Sequence, residues 1–296
     1  MLHLMTSFFN AGFYFPGYNW TSILLAIAIG VVFGGIWLFL YRPPLFKTAR
    51  LWYVFFIGAI LTWAAVSFIQ LPLQVWTKDA LVHWWNPQTL STARFILLSY
   101  IPIVFIAGIV QEAAKIAPVF FFRQRNKDEF TPQLGLIAGA VAGAGFGIFE
   151  AIWKLNLILP TIGIFNSYST ILSSVGFKSL QIILLGFTPI MGIFGSIYSV
   201  VFHIAASALV GYGLAKHRGW QFYLLAVLLN DLINFGAFLA YLRRISMIEG
   251  IIWVSVPLVL VTVFALWLRW HKPRVKPAVS GPADVTPLII PHMPLS

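Results

Sequence analysis

Residues 134–153 read LGLIAGAVAGAGFGIFEAIW, an apolar run whose single charged residue is Glu150. A bilayer core is crossed by about 20 mostly apolar residues rising 1.5 Å each, so the run is long enough to span. Gly135, Gly139, Gly143 and Gly147 recur every four residues and share one helix face, and Glu150 continues that face three residues on. A stripe of small residues lets a second helix approach closely. An acid on such a stripe therefore points at a neighbouring helix and away from lipid.

Six other runs have spanning length, at 21–41, 52–73, 95–122, 191–215, 220–242 and 247–268. The expected fold is all-α, a polytopic transmembrane helical bundle of about seven spans, with an eighth over 178–198 as the alternative. Composition agrees: 60% of the 296 residues are hydrophobic and 9% charged, too few charges to cover a soluble surface. The net charge of +11 raises nucleic-acid binding, but the basic residues lie in short clusters between apolar runs, so no nucleic acid is expected. With no cysteine, disulfides, thiolate metal sites, cysteine nucleophiles and S-palmitoylation are excluded. The first 20 residues lack a basic start and contain Pro, Gly and Asn, so no cleaved signal peptide is expected.

Orientation follows from the basic residues in the connections. One side holds Arg42, Lys47, Arg50, Arg123, Arg125, Lys127, Lys216, Arg218, Arg269, Lys272, Arg274 and Lys276; the other holds Lys78, Arg94, Lys154, Lys178, Arg243 and Arg244. The richer side is expected to be cytoplasmic, with the N-terminus outside and the C-terminus inside, in a bacterial-type plasma membrane. The expected organisation is a short outer segment over 1–20, two spans and an outer loop over 21–94, and a core bundle over 95–242. A last span over 243–270 and a disordered cytoplasmic tail over 271–296 complete it. Within the core, 179–190 reads as a re-entrant or interfacial helix broken by Pro189.

An ionisable residue at mid-span is expensive and marks function by default. Three of the eight acids, Glu112, Glu150 and Asp231, fall inside spans, with Gln111, Lys115, His203, Asn230 and Asn234. Counted from the cytoplasmic ends, Glu112, His203, Glu150, Asn230 and Asn234 lie about 16, 20, 21, 15 and 21 Å deep. Four helices thus bring polar groups to one layer. In the fifth span Gly195, Ser199, His203, Ser207 and Gly211 form a second stripe with the histidine at its centre. Glu112 and Lys115, three apart, can pair; Gln111 and Lys115 share a face, as do Asn230 and Asn234.

These residues resemble a known family. Gln111-Glu112-Ala113-Ala114-Lys115 is similar to the E-E-x-x-K/R motif of the PrsW-like (YhfC-related) intramembrane proteases, part of the CAAX-protease and bacteriocin-processing superfamily. Phe146 to Glu150 resembles F-x-x-x-E, and Glu150-Ala151-Ile152 resembles the YhfC form of that motif. His203, followed by Gly211-Tyr212-Gly213, resembles the third motif, and Leu224–Asn234 the last. The likeness covers about 95–240. It implies hydrolysis of transmembrane or membrane-anchored protein substrates by an activated water, with Glu112, Glu150 and His203 catalytic. Gln111, Lys115, Phe146, Asn230, Asp231 and Asn234 would support them, Asn230 and Asn234 by donating to the oxyanion. Glu150 and His203 are the candidate ligands for a divalent metal such as zinc, which the sequence does not require.

Two positions depart from the family. Gln111 stands where the motif has its first Glu, and an amide cannot take a proton at neutral pH; Asn230 stands where relatives often have His. Either Glu112 or Glu150 then serves as base, or the chain is an inactive relative that binds membrane partners as a scaffold. A proton- or ion-coupled carrier using the same acids is a third reading. The lack of an internal repeat counts against it.

Overall fold

The computed structural model describes residues 20–84, 93–159 and 189–271. All regular structure among them is helical, and seven helices are long and apolar enough to cross a membrane. They are α1 (Trp20–Phe39), α2 (Ala49–Trp84), α3 (Ala93–Arg125), α4 (Pro132–Ile158), α5 (Pro189–Ala215), α6 (Gly219–Tyr241) and α7 (Met247–Trp270). The chain is an all-α multi-pass bundle. Its outer surface is apolar, as a lipid-facing surface must be: Val259 and Leu260 on α7 and Val32 on α1 are all more than half exposed.

The central element is α4, packed most extensively on α5 and then on α2. Its glycine stripe is the reason. A Cβ at Gly135, Gly139 or Gly143 would strike the backbone carbonyl of Gly211, Ser207 or His203 on α5. A Cβ at Gly145 would strike the Phe55 carbonyl on α2, and Gly58 of α2 meets the Ala142 carbonyl in return. The stripes read from the sequence therefore face each other backbone to backbone from Gly135 against Gly211 to Gly147 against Val200, with His203 in the seam, while Gly195 of the second stripe has nothing near its Cβ.

Three boundaries differ from the sequence reading. The second helix runs on from 73 to Trp84, through residues assigned to the outer loop. It is interrupted by a π-helical segment, Val66–Gln70, closed by a bond from Leu71 N–H to the Val66 carbonyl. Pro72 explains the break: lacking an N–H, it cannot bond the Phe68 carbonyl, and the chain takes one wide turn before it. The fourth helix begins earlier than expected because Thr131 caps it, its hydroxyl accepting from Leu134 N–H at 3.2 Å, and Pro132 fills the first helical position. Glu150 therefore lies about 27 Å from that end, one turn deeper than the sequence estimate. The described part of α5 is helical from Pro189, two residues before the expected start at 191. The segments 1–19, 160–188 and 272–296, with the re-entrant helix, the eighth span and the tail assigned to them, lie outside the described residues.

Candidate functional site

Glu112 and Lys115 leave one face of α3 at mid-helix, and both are buried, at 2% and 1% exposure. Lys115 Nζ donates to Glu112 Oε1 at 2.5 Å and lies 2.8 Å from His203 Nδ1 on α5. On the other side of the imidazole, Nε2 is 2.8 Å from Glu150 Oε2 on α4. An ammonium only donates, so Nδ1 accepts from Lys115 and the ring proton sits on Nε2, donated to Glu150. Glu150 is held further by the Ser199 hydroxyl at 3.0 Å and by Lys154 at 3.2 Å, one turn along α4. Two carboxylates, two ammonium groups and a neutral imidazole leave the cluster without net charge, which is what burial in the bilayer demands.

Aromatic rings close the cluster. Phe146 stands edge to face against the His203 ring at 4.9 Å, and the Phe146 and Phe202 rings each lie 5.4 Å from Lys115 Nζ. Ring faces favour a cation and exclude water from around it. Phe146 belongs to the site for this reason.

From α6, Asn230 Nδ2 reaches Glu112 Oε1 at 3.0 Å and Gln111 Oε1 at 3.3 Å, and Asn234 donates to Asn230 Oδ1 at 2.6 Å. These amides were expected to face an oxyanion. Their donors point at Glu112 and at each other, so what they do in this arrangement is hold Glu112. Gln111 is turned to α2, where its Nε2 donates to Gln70 Oε1 at 3.1 Å. Gln74, one turn beyond, donates to the Ile103 carbonyl at 2.8 Å. The π-helical turn brings Gln70 to this place. Gln70 and Gln74 were missed in the sequence, although two amides four apart in an apolar run were the available sign.

Asp231 does not join the hydrogen-bonded cluster. Its carboxylate seats against Gly108 of α3, where a Cβ would collide with it. The candidate metal pair does not suit an ion in this arrangement. Both His203 nitrogens are engaged, Glu150 is already satisfied by three partners, and among the described residues no group of three or more His, Asp and Glu is placed to hold a metal.

Glu112 Oε2 is buried with no hydrogen-bond partner, while Oε1 takes both Lys115 and Asn230. A buried acceptor without a partner costs about 1–3 kcal/mol, more when charged. The carboxylate is thus anchored through one oxygen and keeps the other free.

Comparisons of the chain with family models, with curated proteins and with solved structures give no match.

Proposed function

We propose that the protein is an intramembrane protease, acting on transmembrane or membrane-anchored polypeptides in a bacterial-type plasma membrane with its C-terminus in the cytoplasm. The observation that carries the reading is the half-anchored Glu112: a buried carboxylate fixed by Lys115 and Asn230 through Oε1 and unpartnered at Oε2. That is the geometry a general base needs, one oxygen held for orientation and the other free for a water proton.

In this mechanism Glu112 Oε2 takes a proton from water as the water oxygen bonds to the scissile carbonyl carbon. Lys115, beside the base, supplies positive charge to the tetrahedral oxyanion. As the C–N bond breaks, Glu112 returns the proton to the leaving amine, and a new carboxyl and a new amine are the products. Glu150 and His203 are positioning residues here: Glu150 fixes the imidazole tautomer, and His203 holds Lys115. The missing first Glu of the resembled motif is then no obstacle, because Gln111 works as a strut between Gln70 and Asn230.

The test is cleavage of a membrane-anchored peptide library in proteoliposomes, abolished by Glu112→Gln and strongly reduced by Glu150→Gln and His203→Ala. A wild-type protein that is folded, cleaves nothing and still captures a membrane partner would make it a scaffold. A carrier reading draws on one further observation. The hydrogen-bonded chain Asn234–Asn230–Glu112–Lys115–His203–Glu150–Lys154 ends on a lysine whose side chain is 18% exposed, and such chains can relay protons. Proton flux lost in Glu112→Gln, without cleavage by the wild type, would favour it.

A further inference from the structure

On α5, Ser199, His203 and Ser207 are spaced by four and share one face, so a hydroxyl lies one turn to either side of the imidazole. Ser199 is spent on the first carboxylate, its Oγ bonding Glu150 Oε2 at 3.0 Å. Ser207 is 3% exposed, and its Oγ has no hydrogen-bond partner. A hydroxyl inside a helix usually settles on a carbonyl one turn back, as Thr62 does on Gly58 at 2.9 Å and Ser199 does on Ser196 at 3.1 Å. Ser207 instead lines a narrow pocket between α3 and α5 whose other polar lining is Glu112 and Lys115. Glu112, which lines the same pocket, carries the second orphaned atom of the pair, Oε2.

We propose that Ser207 and Glu112 together form a water-binding site, and that Ser207 is the second anchor of the nucleophilic water. The inference rests on the protease reading for its catalytic consequence, but the water site stands without it. A water there donates one O–H to Glu112 Oε2 and the other to Ser207 Oγ, leaving its lone pairs directed at a substrate carbonyl. The proton transferred during attack goes to Glu112; Ser207 keeps its own. As it stands the pocket has no room for a water, and binding one requires Ile116, the one hydrophobic lining residue that is only partly buried, to give way. Satisfying two buried polar atoms with one water drives that adjustment.

The site is tested by a high-resolution structure of the full chain in lipid, for wild type and Ser207→Ala. The expected result is ordered solvent within hydrogen-bond reach of both Glu112 Oε2 and Ser207 Oγ in wild type, lost in Ser207→Ala while the Glu112–Lys115 pair persists. Ser207 Oγ bonded to the His203 carbonyl, with no solvent at Glu112, overturns the proposal. Where wild type cleaves peptides, Ser207→Ala should lower kcat by about 10-fold or more with KM unchanged, as expected of a misplaced nucleophile. Unchanged kcat would remove Ser207 from the reaction. Because alanine keeps the helix and the packing, a fold defect is not expected to obscure either arm, and solvent found in a protein that cleaves nothing separates failure of the protease reading from failure of this one.

Discussion

Replacing Lys115 by methionine keeps the length of the side chain and removes its ammonium, and the structure sets the cost. The ammonium donates to Glu112 at 2.5 Å and to His203 at 2.8 Å, in a site where Glu112 and His203 are each 2% exposed. A hydrogen bond to a charged group contributes about 1.5–3 kcal/mol, and removing one member of a buried ion pair costs about 3–5 kcal/mol because the other charge is stranded. Lys115→Met should therefore lose about 3–5 kcal/mol. Adding Glu112→Gln removes the stranded charge and keeps an oxygen for Asn230, so the double variant should recover about 2 kcal/mol or more of that loss, a coupling well beyond additivity. Reversible unfolding in mixed micelles, run on the wild type, both single variants and the double variant, measures the cycle. If Lys115→Met is as stable as wild type, or if the two losses simply add, the ion pair is not the buried structure described.

Other outcomes follow from particular contacts. Gly143→Ala should separate α4 from α5 and cost several kcal/mol, because its Cβ would strike the His203 carbonyl, whereas Gly35→Ala, with nothing near its Cβ, should be neutral or stabilise by up to about 1 kcal/mol; thermal unfolding in detergent reads both. Gln111→Glu, which restores the acid of the resembled motif, should destabilise by about 2 kcal/mol or more and add no activity, because the donor to Gln70 is lost and a second charge is buried beside Glu112. Ser246→Ala should cost about 1 kcal/mol and loosen the first turn of α7, visible in amide exchange, since Ser246 and Glu249 form a reciprocal cap.

The bundle was legible in the sequence because a membrane span is written as length and apolarity, which need no knowledge of the partner helix. The facing stripes on α4 and α5 were legible for a related reason: a four-residue repeat defines a face, and small residues on it define close approach. What could not be read was which donor serves which acceptor. Asn230 and Asn234 lie at the expected depth, yet their amides turn to Glu112 and to each other, a choice decided by side-chain angles and by what α3 presents. Gln70 stayed hidden because its position depends on the wide turn before Pro72, which shifts the helical phase that face assignments rely on. Lys154 was counted with the outer loop, and only the extra length of α4 makes it a partner of Glu150. Asp231, singled out beside Asn230, points to another part of α3.

The central claim is that Glu112 delivers a water molecule to a peptide bond within the membrane. It is tested most directly by incubating the reconstituted protein with a membrane-anchored substrate in oxygen-18 water and weighing the products. The account predicts one heavy oxygen in the new carboxyl terminus with wild type, and no product with a folded Glu112→Gln variant. Undiminished cleavage by Glu112→Gln, or a product carrying no heavy oxygen, would contradict it.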